Sequence, residues 1–264
     1  MNNTDKNSSN PYLNIKLPEG YNLIFFSEID STNTYIKENA STLQEGTVVV
    51  ANHQIKGRGR LGRSFYSPSD TGLYFSILLK PHINVSEALN ITVAAAVAVS
   101  KAIETSTGEK ALIKWVNDIY MNGRKVSGIL TEASMSGQNN TLNHIVLGIG
   151  INLSIPEGGF PEDIKDKAGA ISDNSDLTFK TYLLENALEE FNKIYMNYSD
   201  KSFIEEYRTR SCVIGKTVTV LQGDITYSAE VLDISSDCSL KVLLSDGTIK
   251  YLSSGEISLQ GDFS

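Results

Sequence analysis

The sequence predicts an α+β protein: a mixed β-sheet with helices fills most of the chain, and a small β-barrel follows it. Up to about Arg210, short runs rich in Val, Ile, Leu, Phe and Tyr alternate with a segment of helical apolar spacing, whereas from Gly215 onward only short alternating strands remain. The 264 residues suffice for one large domain plus a small one. With 41% hydrophobic and 20% charged residues, the composition excludes a fibrous or mainly disordered chain.

Met1 to Asn10 are nearly all polar and lack the apolar run of a secretory signal, so residues 1–20 are expected to form a flexible tail and the protein to be cytoplasmic. The large domain is expected over 21–212. Gly46 to Asn52 and Thr71 to Lys80 read as strands, bounded by Gly, Pro or Ser. Ser86 is the expected N-cap of a helix reaching about Thr105 and giving way at Gly108; its Ile91 to Val99 run is about half the ~20 residues of a membrane span, so it is read as buried. Ala111 to Trp115, Val126 to Glu132 and His144 to Leu153 are further strands, joined by loops at Asn122 to Arg124 and Ser136 to Asn140. A polar stretch from Pro156 to Asp176 leads into a helix with Leu184, Leu188, Phe191 and Tyr195 on one face. The small domain, 213–264, has strands at Thr217 to Leu221, Thr226 to Ile234, Leu240 to Leu244 and Thr248 to Leu252, with Asp246-Gly247 as a hairpin turn.

A net charge of -8 argues against a nucleic-acid partner, because such binding rests on neutralising phosphates. An anion site must therefore be local. Cys212 and Cys238 lack the spacing of a zinc or redox motif, and His53, His82 and His144 are scattered, so no metal site is expected. The densest chemical signal is Lys56-Gly57-Arg58-Gly59-Arg60-Leu61-Gly62-Arg63, directly after a predicted strand. Glycine lets a ligand approach the backbone, and arginine's planar fork matches phosphate or carboxylate oxygens in pairs. Composition alone leaves three readings open: a phosphate site, a nucleic-acid contact or a solvated loop. The segment is neither a Walker loop nor an ordinary dinucleotide fingerprint.

That loop, with Ser64-Phe65-Tyr66-Ser67-Pro68 after it, resembles the adenylate-binding loop of biotin protein ligases. Further segments agree in order: Asp30-Ser31-Thr32-Asn33 and Gln54, Lys114-Trp115-Val116-Asn117-Asp118, Arg124-Lys125-Val126-Ser127-Gly128-Ile129-Leu130, Gly148-Ile149-Gly150-Ile151-Asn152, and Gly255-Glu256-Ile257-Ser258. The resemblance runs from about Ser27 to Gln260 and implies a mixed sheet flanked by helices, related to class II aminoacyl-tRNA synthetases, with an SH3-like barrel after it. It implies an ATP-dependent ligase that forms biotinyl-AMP and passes biotin to a lysine of a biotin carboxyl carrier protein, with Mg2+ accompanying ATP. An exposed strand edge would dock the carrier, and the same surface is available for homodimerisation. A lipoate-type ligase, sharing the fold and the acyl-adenylate chemistry, and a non-catalytic biotin- or nucleic-acid-binding protein are the competing readings.

Within the resemblance, Ser31, Thr32, Asn33, Gln54, Arg58, Gly59, Arg60, Lys125 and Gly128 are expected to bind biotin. The small polar side chains suit a ureido ring, whose two N–H donors and one carbonyl acceptor need partners when buried. Arg58, Arg60, Arg63, Phe65, Lys114, Asn117, Asp118 and Asn152 are expected at the adenylate, with Lys125 and Arg60 catalytic. Read without the resemblance, Ser31 caps a helix, Lys114 and Lys125 are solvated, Trp115 is core and Asn117-Asp118 is a turn. Three positions depart from the pattern: Phe65 replaces a common Trp, Val116 a Pro and Gln260 an Arg. About twenty residues precede the matched segments, too few for the helix-turn-helix repressor domain of some relatives, so transcriptional repression is not expected.

Overall fold

The computed structural model describes residues 10–135 and 141–259. The first nine residues of the expected tail, the Ser136 to Asn140 loop and Gln260 lie outside the described residues.

Seven strands form the main sheet: β1 (Asn22–Ile29), β2 (Thr47–Gln54), β3 (Gly72–Leu79), β4 (Leu112–Lys114), β5 (Asp118–Met121), β6 (Arg124–Met135) and β7 (Leu142–Asn152). They lie in the order β1-β2-β3-β7-β6-β5-β4; β1 and β2 are parallel and every other pair is antiparallel, so the sheet is mixed. Every residue of β3 is buried, as its continuous apolar run requires of a strand covered on both faces. On one face α1 (Thr32–Asn39) places Ile36 against Val49, Leu78 and Val146. On the other lie α2 (Ala88–Thr107), α3 (Leu177–Met196) and α4 (Phe203–Arg210). The Ile91 to Val99 run of α2 is buried throughout, and its alanines let the helix lie close to the sheet and α3.

Three sequence expectations are corrected. The cap before α2 is Asn84: its side chain and that of Glu87 satisfy each other's backbone N–H in a capping box, and Ser86 falls inside the short turn between them. Residues 10–20 are no free tail, because Tyr12 is buried against Phe25 and the Lys16 N–H donates to Glu185. The Asn117-Asp118 turn is half right, since Asn117 lies in the turn over 115–117 that joins β4 to β5, whereas Asp118 already opens β5 and pairs with Gly128. The β5–β6 hairpin turns instead at Asn122 and Gly123, both at positive φ, the backbone that Asn-Gly best adopts.

From Thr217 the chain forms β8 (Thr217–Gln222), β9 (Ile225–Ile234), β10 (Leu240–Leu244), β11 (Ile249–Leu252) and β12 (Glu256–Leu259), an antiparallel sheet ordered β11-β10-β9-β8-β12, consistent with an SH3-like barrel. Gly247 takes positive φ at the Asp246-Gly247 turn. The two sheets meet at buried Trp115, whose indole N–H donates to the Cys238 carbonyl at 3.1 Å; the Tyr207 hydroxyl donates to the Val116 carbonyl at 3.2 Å beside it. Trp115→Phe leaves the Cys238 carbonyl buried without that donor, and urea unfolding followed by far-ultraviolet circular dichroism is expected to show a loss of about 1–3 kcal/mol. An unchanged midpoint would mean the bond contributes nothing to holding the sheets together.

Candidate functional site

A cavity of about 570 Å³ opens over the middle of the main sheet, and all fifteen candidate residues named from the sequence line it. Its walls come from the start of α1, strands β2 to β7, the loop between β2 and β3, residues 160–168 and β12.

One end is a chain of polar side chains sunk into the sheet. Ser31 stands at the N-cap of α1 in extended backbone, but its side chain makes no capping hydrogen bond, which sets aside the plain capping role. The Thr32 N–H donates to Gln54 Oε1 at 3.0 Å, and the Thr32 and Ser76 hydroxyls lie 2.6 Å apart. Ser76 Oγ donates to Asn33 Oδ1 at 2.6 Å, while Asn33 Nδ2 donates to Glu132 at 3.1 Å. Gln54 Nε2 donates to Ser67 Oγ at 3.0 Å, and Ser67 in turn to the Phe65 carbonyl at 2.9 Å. Thr32, Asn33, Ser67 and Ser76 are buried, where each unpaired polar atom would weaken the fold by about 1–3 kcal/mol.

The Gly-Ile-Gly motif of β7 explains how this chain fits. A Cβ on Gly148 would sit 1.9 Å from Asn33 Oδ1, and one on Gly150 would sit 2.4 Å from the Phe65 ring. Phe65 lies over Gly150, close to Gly128 on β6, and meets Tyr74 edge-on. Each glycine thus seats one side chain of the cavity, a reason that a lone close-packed strand would not supply.

The other end is cationic. Lys125 Nζ lies 2.6 Å from Asp118 Oδ1, Arg58 pairs with Glu132 at 3.1 Å, and Arg63 pairs with Glu256 on β12. Arg60 donates to Asn117 Oδ1 at 2.9 Å and to the Gly255 carbonyl at 3.0 Å. Lys114 stands over the Tyr120 ring, and burial lowers its pKa, an effect opposed by Asp118 and reinforced by Lys125. Asn117 anchors the strand crossing by donating to the Ile129 carbonyl, and Asn152 does so toward the Gly169 carbonyl. The 160–168 segment closes over this end, with the Lys125 N–H donating to Lys167.

Burial holds the Cys212 thiol up at about 11 and the Cys238 thiol at about 12, so neither is a thiolate nucleophile at neutral pH. Among the described residues no three His, Cys, Asp or Glu side chains cluster as a metal site. Chemically, the cavity offers paired amides and hydroxyls for a neutral group bearing both donors and acceptors, next to several cations suited to phosphate or carboxylate. Ser76 and Glu132 bond to this site without being among the fifteen residues that the sequence motifs mark. A single Ser inside the otherwise apolar β3 was a usable signal for the first; nothing local marks the second.

The biotin/lipoate A/B protein ligase family matches residues 25–152, and the biotin protein ligase C-terminal domain matches 213–260. The bifunctional ligase/repressor BirA of Bacillus spizizenii is 33% identical over 245 residues, spanning 91% of this chain and 74% of that protein. The biotin–[acetyl-CoA-carboxylase] ligase of Paracoccus denitrificans is 36% identical over 136 residues, covering 50% of this chain and 55% of that one. Among solved structures, the biotin protein ligase of Aquifex aeolicus in complex with biotin and ATP superposes with a TM-score of 0.74 at 33% identity, over 90% of this chain and 98% of that one.

Gly148→Ala is expected to destabilise the fold by about 1–3 kcal/mol through overpacking. The effect should couple to Asn33: in a double-mutant cycle with Asn33→Ala, part of the loss is recovered, giving an interaction of about 1 kcal/mol. Strict additivity would show that the glycine is not there to seat Asn33.

Proposed function

Because the chain belongs to the biotin/lipoate protein ligase family and is an ATP-dependent biotin protein ligase, we propose that its cavity joins biotin to ATP as biotinyl-5′-AMP and then delivers biotin to one lysine of a biotin carboxyl carrier protein. The observation that carries this is the adjacency of the two ends of the cavity: a satisfied amide-and-hydroxyl chain beside a cluster of lysines and arginines.

In this reading Ser31, Thr32, Asn33 and Gln54 meet the ureido ring, with the backbone at Gly59 and Gly128 leaving room for the ligand. A biotin carboxylate oxygen attacks the α-phosphorus; the new O–P bond forms as the bond to pyrophosphate breaks, and pyrophosphate leaves. Two anions must approach each other, so Lys125 bridges the carboxylate and α-phosphate while Arg58, Arg60 and Arg63 stabilise the charge that develops. Phe65, Lys114, Asn117, Asp118 and Asn152 hold the nucleotide. The Asp118 carboxylate that now holds Lys125 keeps the ammonium pointed into the cavity until substrate phosphate competes for it. ATP enters as its magnesium complex, a cation that phosphate oxygens and one or two carboxylates commonly hold.

The carrier's lysine amine then attacks the acyl carbon, AMP leaves, and an amide remains. No protein nucleophile is needed, consistent with the protonated thiols. Until the carrier arrives, the arginine loop excludes water from the mixed anhydride. Carrier docking suits the edge of the main sheet at β1, since the opposite edge strand β4 bridges to Ser211. The same edge suits a homodimer. A cytoplasmic location is part of the same proposal.

The direct test is exchange of labelled pyrophosphate into ATP by the purified protein, with lipoate as control. Exchange with biotin alone is the expected result; exchange with lipoate instead would transfer the protein to the other branch of the family. Lys125→Ala is expected to lower the exchange rate by about 10²–10³ with its circular dichroism unchanged. Arg60→Gly releases both the Asn117 and Gly255 contacts. It should therefore leak biotinyl-AMP and label bystander proteins, visible on a streptavidin blot of total protein; background labelling no higher than wild type would refute a retention role for that arginine.

A further inference from the structure

Glu132 takes no part in the chemistry above and stands behind the cavity lining, yet it bonds one residue from each end of the cavity. It projects from β6, partly shielded, with 18% of its side chain exposed. One carboxylate oxygen, Oε2, accepts from Asn33 Nδ2 at 3.1 Å. The other, Oε1, lies 3.1 Å from Arg58 Nη2 and 3.5 Å from Lys37 Nζ, one helical turn beyond Asn33. A single side chain therefore ties the first turn of α1 to the leading arm of the arginine loop.

The polar chain runs on from there without a break. Asn33 is held by Ser76, Ser76 touches Thr32, Thr32 is held by Gln54, Gln54 by Ser67, and Ser67 reaches the Phe65 carbonyl. It starts at Arg58 and ends at Phe65, so both arms of one loop are fastened to the amides lining the deep end of the cavity. A displacement of Asn33 or Gln54 by a ligand is passed toward the loop through Thr32, Ser67 and Ser76, which are buried, and through the half-buried Gln54 and Glu132.

We propose that Glu132 is a positioning residue that couples the biotin-reading amide of Asn33 to Arg58, so that ligand seated in the deep end fixes where Arg58 stands for adenylation. The inference rests on the function proposed above. It differs from an ordinary surface ion pair in that one carboxylate serves two partners of different purpose: Arg58 and Lys37 are both exposed, and Glu132 is the shielded member of each pair.

The test uses the full chain and three variants, Glu132→Gln, Glu132→Ala and Lys37→Met. Biotin affinity without ATP is measured by calorimetry, and kcat of biotin-dependent pyrophosphate exchange alongside it. Gln keeps a carbonyl acceptor for Asn33 but offers Arg58 no charge: biotin affinity should stay within about threefold while kcat falls about tenfold or more, the loss expected when Arg58 is no longer held in place by its ion pair. Ala removes both partners, so affinity should also fall about tenfold. Lys37→Met should leave both values unchanged. Equal losses of affinity and kcat in Glu132→Gln, or a change only in melting temperature, would reduce Glu132 to a structural residue and overturn the coupling. Wild-type protein that binds no biotin would instead overturn the functional reading and this inference with it.

Discussion

The site depends on satisfying polar side chains in the middle of a β-sheet. Thr32, Asn33 and Ser76 are buried where water cannot compensate them, so each must find its partner within the protein. They do so only because β7 omits a side chain where Asn33 comes down, and again where Phe65 lies flat. Remove that clearance and the start of α1 has no seat on the sheet; remove the polar chain and Gly148 leaves a hole beside unpaired amides. The Gly-Ile-Gly spacing follows from strand geometry, since residues two apart share a face. Ile149, between them, faces the opposite side and joins the apolar core.

A second tension is electrostatic. Lys114, Lys125, Arg58, Arg60 and Arg63 converge in a protein of net charge -8, and the fold answers with a carboxylate or amide oxygen for most of them. Lys114 shows the strain that remains, because its burial favours the neutral form. A lowered folded-state pKa means that charged Lys114 weakens the fold at neutral pH and that this penalty fades as pH rises through its depressed pKa. A cavity that tolerates such a residue gains cation density at some cost in stability, the kind of local compromise found where a fold carries a binding site.

Much of this could be read from the residues because periodicity and turn chemistry act locally. The Asn122-Gly123 and Asp246-Gly247 turns, the α3 face and the buried α2 all follow from spacing that needs no tertiary context. The elements that escaped are those whose signal is weakened by tertiary duty. In β1, Ser27 and Glu28 interrupt the apolar run, and Glu28 reaches across to His53 on β2. Asp118 looks like a turn residue until Gly128 pairs with it across the sheet. Tyr12 reads as tail because its burial depends on Phe25, a neighbour brought there only by the finished sheet. Among site residues the motifs picked out side chains that line the cavity, while Ser76 and Glu132, which meet only other side chains, carry no spacing rule of their own.

The small C-terminal sheet belongs to the same argument. Gly255 and Glu256, at the entrance to β12, hold Arg60 and Arg63 from outside, while the polar chain holds Arg58 and Phe65 from beneath. Trp115 fastens that sheet next to Asn117, which itself receives Arg60. A glycine-rich loop with four cations has no reason to settle in one place by its own propensity, since glycine leaves it many conformations and its charges repel. It gains a defined position by being anchored at several points to parts of the chain nearly two hundred residues apart. Each anchor is a hydrogen bond or ion pair of the modest kind found at a cavity rim, and together they bias the loop to one position, which gives the small C-terminal sheet a physical part in shaping the cavity.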